Sequence, residues 1–190
     1  MQSYCWMKRG NIMDYTETTI KSENIYDGKI INLRVDSVEL PNRKYSKREV
    51  VVHGDVAAII AIRNNKIVLL KHFRKPVEEI LIEIPAGGVM KGETPIDAAA
   101  RELEEETGLV AKNLNYLIMS YSSPGYTTEK MHFFISDEIE VSEKERDEEA
   151  IEVFEMTLEE MKEKIDSLEI KDAKTIMAYF LAKEYIDENN

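Results

Sequence analysis

The sequence predicts an α/β domain with a mixed sheet, α+β in order or layered as an α/β/α sandwich, preceded by an antiparallel β-meander. Three observations carry this. Apolar runs of strand length recur between residues 16 and 156, one strongly capped helix interrupts them after residue 94, and two helical patterns close the chain. Its 190 residues, 43% of them hydrophobic and 33% charged, suffice for one domain of good size with an appendage.

The meander rests on TETTIKSENIY, KIINLRVDSVEL and REVVVH between residues 16 and 52, where polar and apolar residues alternate and PNRK (41–44) supplies a turn. VAAIIAI (56–62) and KIVLL (66–70) flank RNN, a hairpin signal. EILIEIPAG (79–87) reads as a strand ending in a loop. The next element is a helix over 95–107: Thr94 suits the N-cap, Pro95 the first turn, Asp97 a weak capping box, and Gly108 the position just past the end. Strands resume at LNYLIMSYSS (113–122) and KMHFFISDEIE (130–140). The acidic stretch 142–150 reads as a loop before the short strand IEVFEM. Thr157 with Glu160 forms a capping box for a helix starting at Leu158, and Asp172 caps a last helix. In that helix Ile176, Met177, Phe180 and Leu181 make an apolar stripe for core packing.

Composition excludes several classes of function. A net charge of −12 argues against general affinity for nucleic acid or anionic membranes, which want a basic face. It permits a phosphate-bearing substrate where metal ions neutralise both partners. The single cysteine, Cys5, rules out an intramolecular disulfide and fits a reducing compartment. No run of eighteen apolar residues offers a membrane span, and MQSYCWMKRGN lacks the apolar core of a secretory signal, so the expected location is the cytoplasm. Residues 1–15 read as a poorly ordered leader, 16–53 as the meander and 54–190 as the main domain.

Residues 101–108, RELEEETG, crowd four glutamates towards a helix C-terminus, where the macrodipole disfavours anions and Glu102 and Glu106 repel at i,i+4. At ~100° per residue, Ile96, Ala99, Ala100 and Leu103 share one face, and Glu102, Glu105 and Glu106 gather on the adjoining arc. Glu104 points elsewhere. Carboxylates converging beside a core face suit a hard cation such as Mg²⁺, and Arg101 is placed to pair with Glu105 or an acid outside the helix. Helical spacing alone also describes a solvated acidic face.

The flanking residues decide between these readings. PAGGVMKGETP leads into the helix through a glycine-rich loop. Gly87, Glu93 and Arg101-Glu102-Leu103-Glu104-Glu105-Glu106-Thr107-Gly108-Leu109 together write G-x5-E-x7-R-E-U-x-E-E-x-G-U, with U apolar. Every fixed position of the Nudix box is matched. The chain therefore resembles the Nudix hydrolases, which cleave nucleoside diphosphates linked to another moiety. That family's fold is an α/β/α sandwich with a mixed sheet, consistent with the element order above. The resemblance implies Mg²⁺ or Mn²⁺, with more than one ion expected. Glu102 and Glu106 are implied as the principal metal carboxylates, with Glu105 beside them and the Ala86 carbonyl as a further ligand. Glu93 and Arg101 are implied as an orienting pair within the catalytic set, and Glu104 as a solvated bystander.

Outside the box, SSPGYTTE resembles the marker of the ADP-ribose pyrophosphatases. Pro124 stands sixteen residues after Gly108, and Glu129 stands five beyond the proline. REVVVHGD (48–55), KHFRKP (71–76) and LIEIPAG resemble further segments of that subfamily. The resemblance thus implies substrate contacts from Arg48, Arg74, Glu83, Gly87, Pro124, Gly125 and Glu129, with Arg74 on the diphosphate. It assigns the histidines, His53, His72 and His132, no base role. It places the general base in the loop 145–153, with Glu149 first and Glu148 next. The implied reaction is hydrolysis of ADP-ribose to AMP and ribose 5-phosphate by a homodimer that exchanges N-terminal strands, without nucleic-acid or membrane partners. One departure is YDGKII (26–31), where Lys29 and Ile30 stand in place of an adenine-holding aromatic. It leaves open another nucleoside diphosphate sugar, such as GDP-mannose. A non-catalytic ADP-ribose-sensing module is a more distant alternative, because the box is intact.

Overall fold

A computed structural model describes residues 15–144 and 151–189, in two compact units. Of the described residues, the smaller holds 15–53 together with 125–128. The larger holds 54–124, 129–144 and 151–189.

The smaller unit is an antiparallel sheet of β1 (Thr18–Asp27), β2 (Ile31–Glu39) and β3 (Tyr45–His53). The β2–β3 reversal falls at the expected PNRK, with Arg43 in the left-handed region at φ 60°. Buried Asp36 accepts from Ser22 Oγ at 2.6 Å and Arg34 Nε at 3.1 Å, fixing one side of the sheet. Every residue of β1 is exposed, Ile20, Ile25 and Tyr26 included. After Gly125, the chain bonds to β3 through Val51 N–H to Tyr126 O (2.8 Å) and Thr128 N–H to Val51 O (3.0 Å).

The larger unit runs β4 (Val56–Arg63), β5 (Lys66–Arg74), β6 (Glu79–Glu83), β7 (Ala86–Gly88), α1 (Pro95–Thr107), β8 (Leu109–Ala111), β9 (Asn115–Tyr121), β10 (Lys130–Ser136), β11 (Ile139–Val141), β12 (Glu152–Met156), α2 (Leu158–Asp166) and α3 (Ala173–Asn189). The main sheet has the order β12-β5-β4-β10-β9, with β6 on β5 and β7 on β4. It is mixed, since β10 runs parallel to β4 while the other pairs are antiparallel.

The continuous apolar run of β4 is explained by cover on both faces. Ala57, Ile59 and Ala61 pack with Ala98, Ala99 and Leu103 of α1, whereas Ala58, Ile60 and Ile62 pack with Met161 of α2 and Ala178 and Ala182 of α3. The sandwich is therefore α1, sheet, α2–α3. The β4–β5 turn uses Asn64 and Asn65 with φ of 52° and 58°, the two left-handed residues that a tight hairpin wants. Thr94 caps α1, Gly108 ends it at φ 70°, and the Thr157–Glu160 capping box opens α2. Asp172 caps α3 by accepting from the Thr175 N–H at 3.0 Å.

Several details differ from the sequence reading, the short strand β8 among them. Ala86–Gly88 is a short strand rather than a flexible loop, because its backbone pairs with Val56–Ala58 of β4. Residues 79–87 and 130–140 each split into two strands. The buried face of α1 centres on Ala98, Ala99 and Leu103, leaving Ile96 43% exposed, because small alanines let the helix approach β4 closely. In α3 the buried seam is Lys174, Thr175, Ala178, Tyr179 and Ala182. Phe180 lies 58% exposed, edge-on to Tyr179, while Ile176, Met177 and Leu181 are half-buried against the core.

Candidate active site

The site grows from the β7–α1 connection. Pairing with β4 fixes Ala86 and Gly87, and the capped start of α1 fixes the helix that follows. Rotation of α1 onto its alanine face brings Glu102 and Glu106 to the edge of the core beside β7. A Cβ on Gly87 would lie 2.0 Å from the Glu102 carboxyl carbon and 2.1 and 2.3 Å from its oxygens, so any side chain there would displace the Glu102 carboxylate. Glu106 accepts from the Ala86 N–H at 3.0 Å. The two carboxylates thus flank the Ala86–Gly87 backbone.

Arg101 holds this array together. Its Nε and Nη2 donate to Glu93 at 2.9 and 3.1 Å, its Nη1 to Glu102 at 2.6 Å and Glu105 at 2.9 Å, and Nη2 also to Gly88 O at 3.0 Å. Glu93 in turn accepts from the Met90 N–H at 2.9 Å, which closes the loop ahead of α1. The orienting pair expected from the sequence is present, and Arg101 bridges to Glu105 as well. The hydrogen bonds from Arg101 hold the Glu93 carboxyl below its ordinary range, and the same contacts raise Arg101.

The other two glutamates behave in the opposite way. Burial pushes Glu106 up to about 7, with the neighbouring Glu102 charge adding to the rise and the Ala86 N–H, Arg74 and Lys174 opposing it. Burial likewise raises Glu102 against the pull of Arg101. Desolvated carboxylates that repel one another gain most from a cation. Their oxygens and the Ala86 carbonyl form an all-oxygen donor set of the kind a hard divalent ion takes. Among the described residues no three acidic, histidine or cysteine side chains already converge as a cage. Glu102 is turned to Arg101 and Glu106 to the Ala86 N–H, so those side chains would turn from these partners to hold an ion.

A second polar cluster sits at the end of β5. Arg74 Nε and Nη2 both donate to Glu83 at 2.7 Å, a bidentate pair. Glu83 is 1% exposed, so it reaches a ligand only through Arg74. Burial alone would raise Glu83, yet the hydrogen bonds and charges of Arg74 and Lys174 outweigh it and hold the carboxyl at about 2. Lys174, Asp172 and Thr175 belong to this cluster, and of the three the sequence singles out only Asp172, as a helix cap. Their one signal was a lysine inside an otherwise apolar helical seam, which names no partner 91 residues away.

Of the remaining predicted residues, Arg48 lies in the smaller unit, paired with Glu17 at 2.5 and 2.9 Å. Pro124 and Gly125 form the turn after β9, and the Glu129 backbone carbonyl accepts from the Ser122 N–H at 3.3 Å. Glu148 and Glu149 lie outside the described residues. Glu104 is no bystander: it accepts from Ser142 Oγ and Lys144 Nζ, both at 2.6 Å, and ties α1 to the segment after β11.

The chain that carries this site is similar to known proteins. Residues 52–179 match the NUDIX domain, and residues 17–51 match the nucleoside diphosphate sugar hydrolase N-terminal domain. The chain belongs to the Nudix family. Among Nudix relatives, the ADP-ribose pyrophosphatase of Bacillus subtilis (strain 168) is 47% identical over 174 residues, covering 88% of this chain and 94% of that protein. The methanol dehydrogenase activator of Bacillus methanolicus is 42% identical over 168 residues, covering 86% and 91%. A solved ADP compounds hydrolase shares the fold at a TM-score of 0.82 and 21% identity, over 92% of this chain and 96% of that one. As a Nudix hydrolase, the chain has its box on the β7–α1 connection and its mixed-sheet sandwich as expected.

Proposed function

We propose that this Nudix hydrolase cleaves the diphosphate of ADP-ribose, with Mg²⁺ or Mn²⁺, to AMP and ribose 5-phosphate. The observation that carries the reading is the desolvated Glu102–Glu106 pair beside Gly87, braced by Arg101. The similarity to the Bacillus subtilis ADP-ribose pyrophosphatase supports the substrate. Glu102, Glu106 and the Ala86 carbonyl would hold the ions, with Glu105 beside them. Bound metal neutralises non-bridging phosphate oxygens and lowers the pKa of a water. Glu93 and Arg101 keep the carboxylates in place, and Arg74, set by Glu83, receives the diphosphate. Glu149 takes the proton of the attacking water, while Arg48, Pro124, Gly125 and Glu129 contribute substrate contacts. Residues 16–53 form a dimerisation element, supported by the exposed Ile20, Ile25, Tyr26 and Ile30, and the enzyme works as a cytoplasmic homodimer.

The test is release of nucleoside monophosphate with Mg²⁺ or Mn²⁺, AMP from ADP-ribose and ADP-sugars and GMP from GDP-mannose, read beside light scattering for mass. ADP-ribose should be the preferred substrate, and Glu106→Gln should lose most turnover while remaining folded. Absence of AMP release across the ADP-ribose and ADP-sugar panel would sink the proposal.

A further inference from the structure

Lys174 is 8% exposed, deep in the seam of α3, and its ammonium donates to Glu83 Oε2 and, at 3.0 Å, to Asp172 Oδ2. Glu83 is in turn the bidentate partner of Arg74. Asp172, Lys174, Glu83 and Arg74 thus form a chain of alternating charge, two cations and two anions, with a net charge of zero. The chain is anchored at both ends of its buried part. Asp172 accepts from the Thr175 N–H at 3.0 Å and Thr175 Oγ1 at 2.6 Å, and Thr175 Oγ1 accepts from the Ile84 N–H at 2.9 Å. Arg74 is the most exposed of the four, its side chain 37% exposed, and its bonds to Glu83 use Nε and Nη2 rather than Nη1.

We infer that Lys174 is a positioning residue for diphosphate binding, neutralising Glu83 so that Arg74 keeps its positive charge for the ligand. The inference rests on the reading of Arg74 given above. Without Lys174, Glu83 would be shared with no other cation. Arg74 would then be spent on an internal pair, and the cluster would carry one net negative charge facing an anionic ligand. A carboxylate bound by two cations orients the guanidinium without cancelling it.

The opposite charge changes on either side of Lys174 supply the test. Lys174→Met should raise the KM for ADP-ribose and the Kd for inorganic pyrophosphate with Mg²⁺, read by calorimetry, about tenfold, with kcat changing less than about twofold. Lys174→Arg should restore most of both. Asp172→Asn retains an oxygen for the α3 cap but leaves the cluster one charge more positive, so it should tighten pyrophosphate binding. Lys174→Met with wild-type KM and Kd, or with a loss confined to kcat or thermal stability, overturns the inference. Should that variant fail to fold, Asp172→Asn with unchanged or weaker pyrophosphate affinity overturns it instead. A wild-type protein inactive on ADP-ribose refutes the substrate proposal separately, because pyrophosphate affinity is measured without turnover.

Discussion

At the scale of single residues, the site depends on one absent side chain as much as on those present. Gly87 touches the Glu102 carboxyl so closely that a methyl group would overlap it. The obstructing atoms are the far end of a flexible side chain, so folding can escape the clash by swinging Glu102 away, whereas an ion between the carboxylates needs the space beside the Ala86–Gly87 backbone that a methyl group would fill. Gly87→Ala is therefore expected to keep its thermal midpoint within a few degrees of wild type while its Mg²⁺-dependent turnover falls by about a hundredfold. A thermal scan alongside initial rates over a Mg²⁺ series measures both; wild-type activity would show that Glu102 needs no such close seat. The pattern of box residues made Gly87, Glu93, Arg101, Glu102 and Glu106 legible in the sequence, because all lie within one local loop and helix. Glu83's true partners were not legible. A buried ion cluster is assembled by residues from β5, β6 and α3, and nothing in any of those segments alone encodes the others.

At the scale of elements, the signals that held were those whose physics is local. Thr94, Pro95 and Gly108 mark the ends of α1, and Thr157 with Glu160 marks the start of α2, because capping groups satisfy backbone donors and acceptors within four residues. The asparagine pair made the β4–β5 hairpin legible in the same way. Elements held by partners distant in sequence went unseen, such as β7 against β4 and β8 against β11. Helix faces are legible only in part, for a related reason. The apolar stripe of α3 pointed to Phe180, but the alanines Ala178 and Ala182 and the charged Lys174 face inward, because close packing and Glu83 set the rotation. The cap of α2 offers a test free of the active site. Thr157→Ala removes the acceptor for the Glu160 N–H and should cost about 1 kcal/mol in urea denaturation, leaving kcat and KM unchanged. A loss of activity at unchanged stability would mean that α2 does more than cover the sheet.

At the scale of the whole molecule, the excess of 37 acidic over 25 basic side chains sets how stability depends on pH. Self-repulsion among the acids weakens as pH falls from neutrality, which favours the compact state until specific ion pairs begin to fail. Glu83 is the pair whose failure should be felt most. Its folded pKa of about 2 lies below its ordinary value of 4.5. The unfolded chain therefore binds this proton first as pH falls. The stabilisation from Glu83 is fully present above pH 4.5, shrinks steadily below it, and is gone once pH has passed through 2. Its size is on the order of 2 kcal/mol after allowance for solvent screening at the half-exposed Arg74. Urea denaturation between pH 2 and 8 should show stability rising gently as pH falls to about 5 and then dropping steeply. Glu83→Gln should be less stable than wild type at neutral pH by more than this amount, because it leaves Lys174 and Arg74 without their shared carboxylate. The gap between the two proteins should close progressively below pH 4.5, as wild-type Glu83 also becomes uncharged. A gap that stays constant down to pH 2 would mean that Glu83 stabilises the fold by packing and neutral hydrogen bonds, and that its charge is not what joins α3 to the sheet.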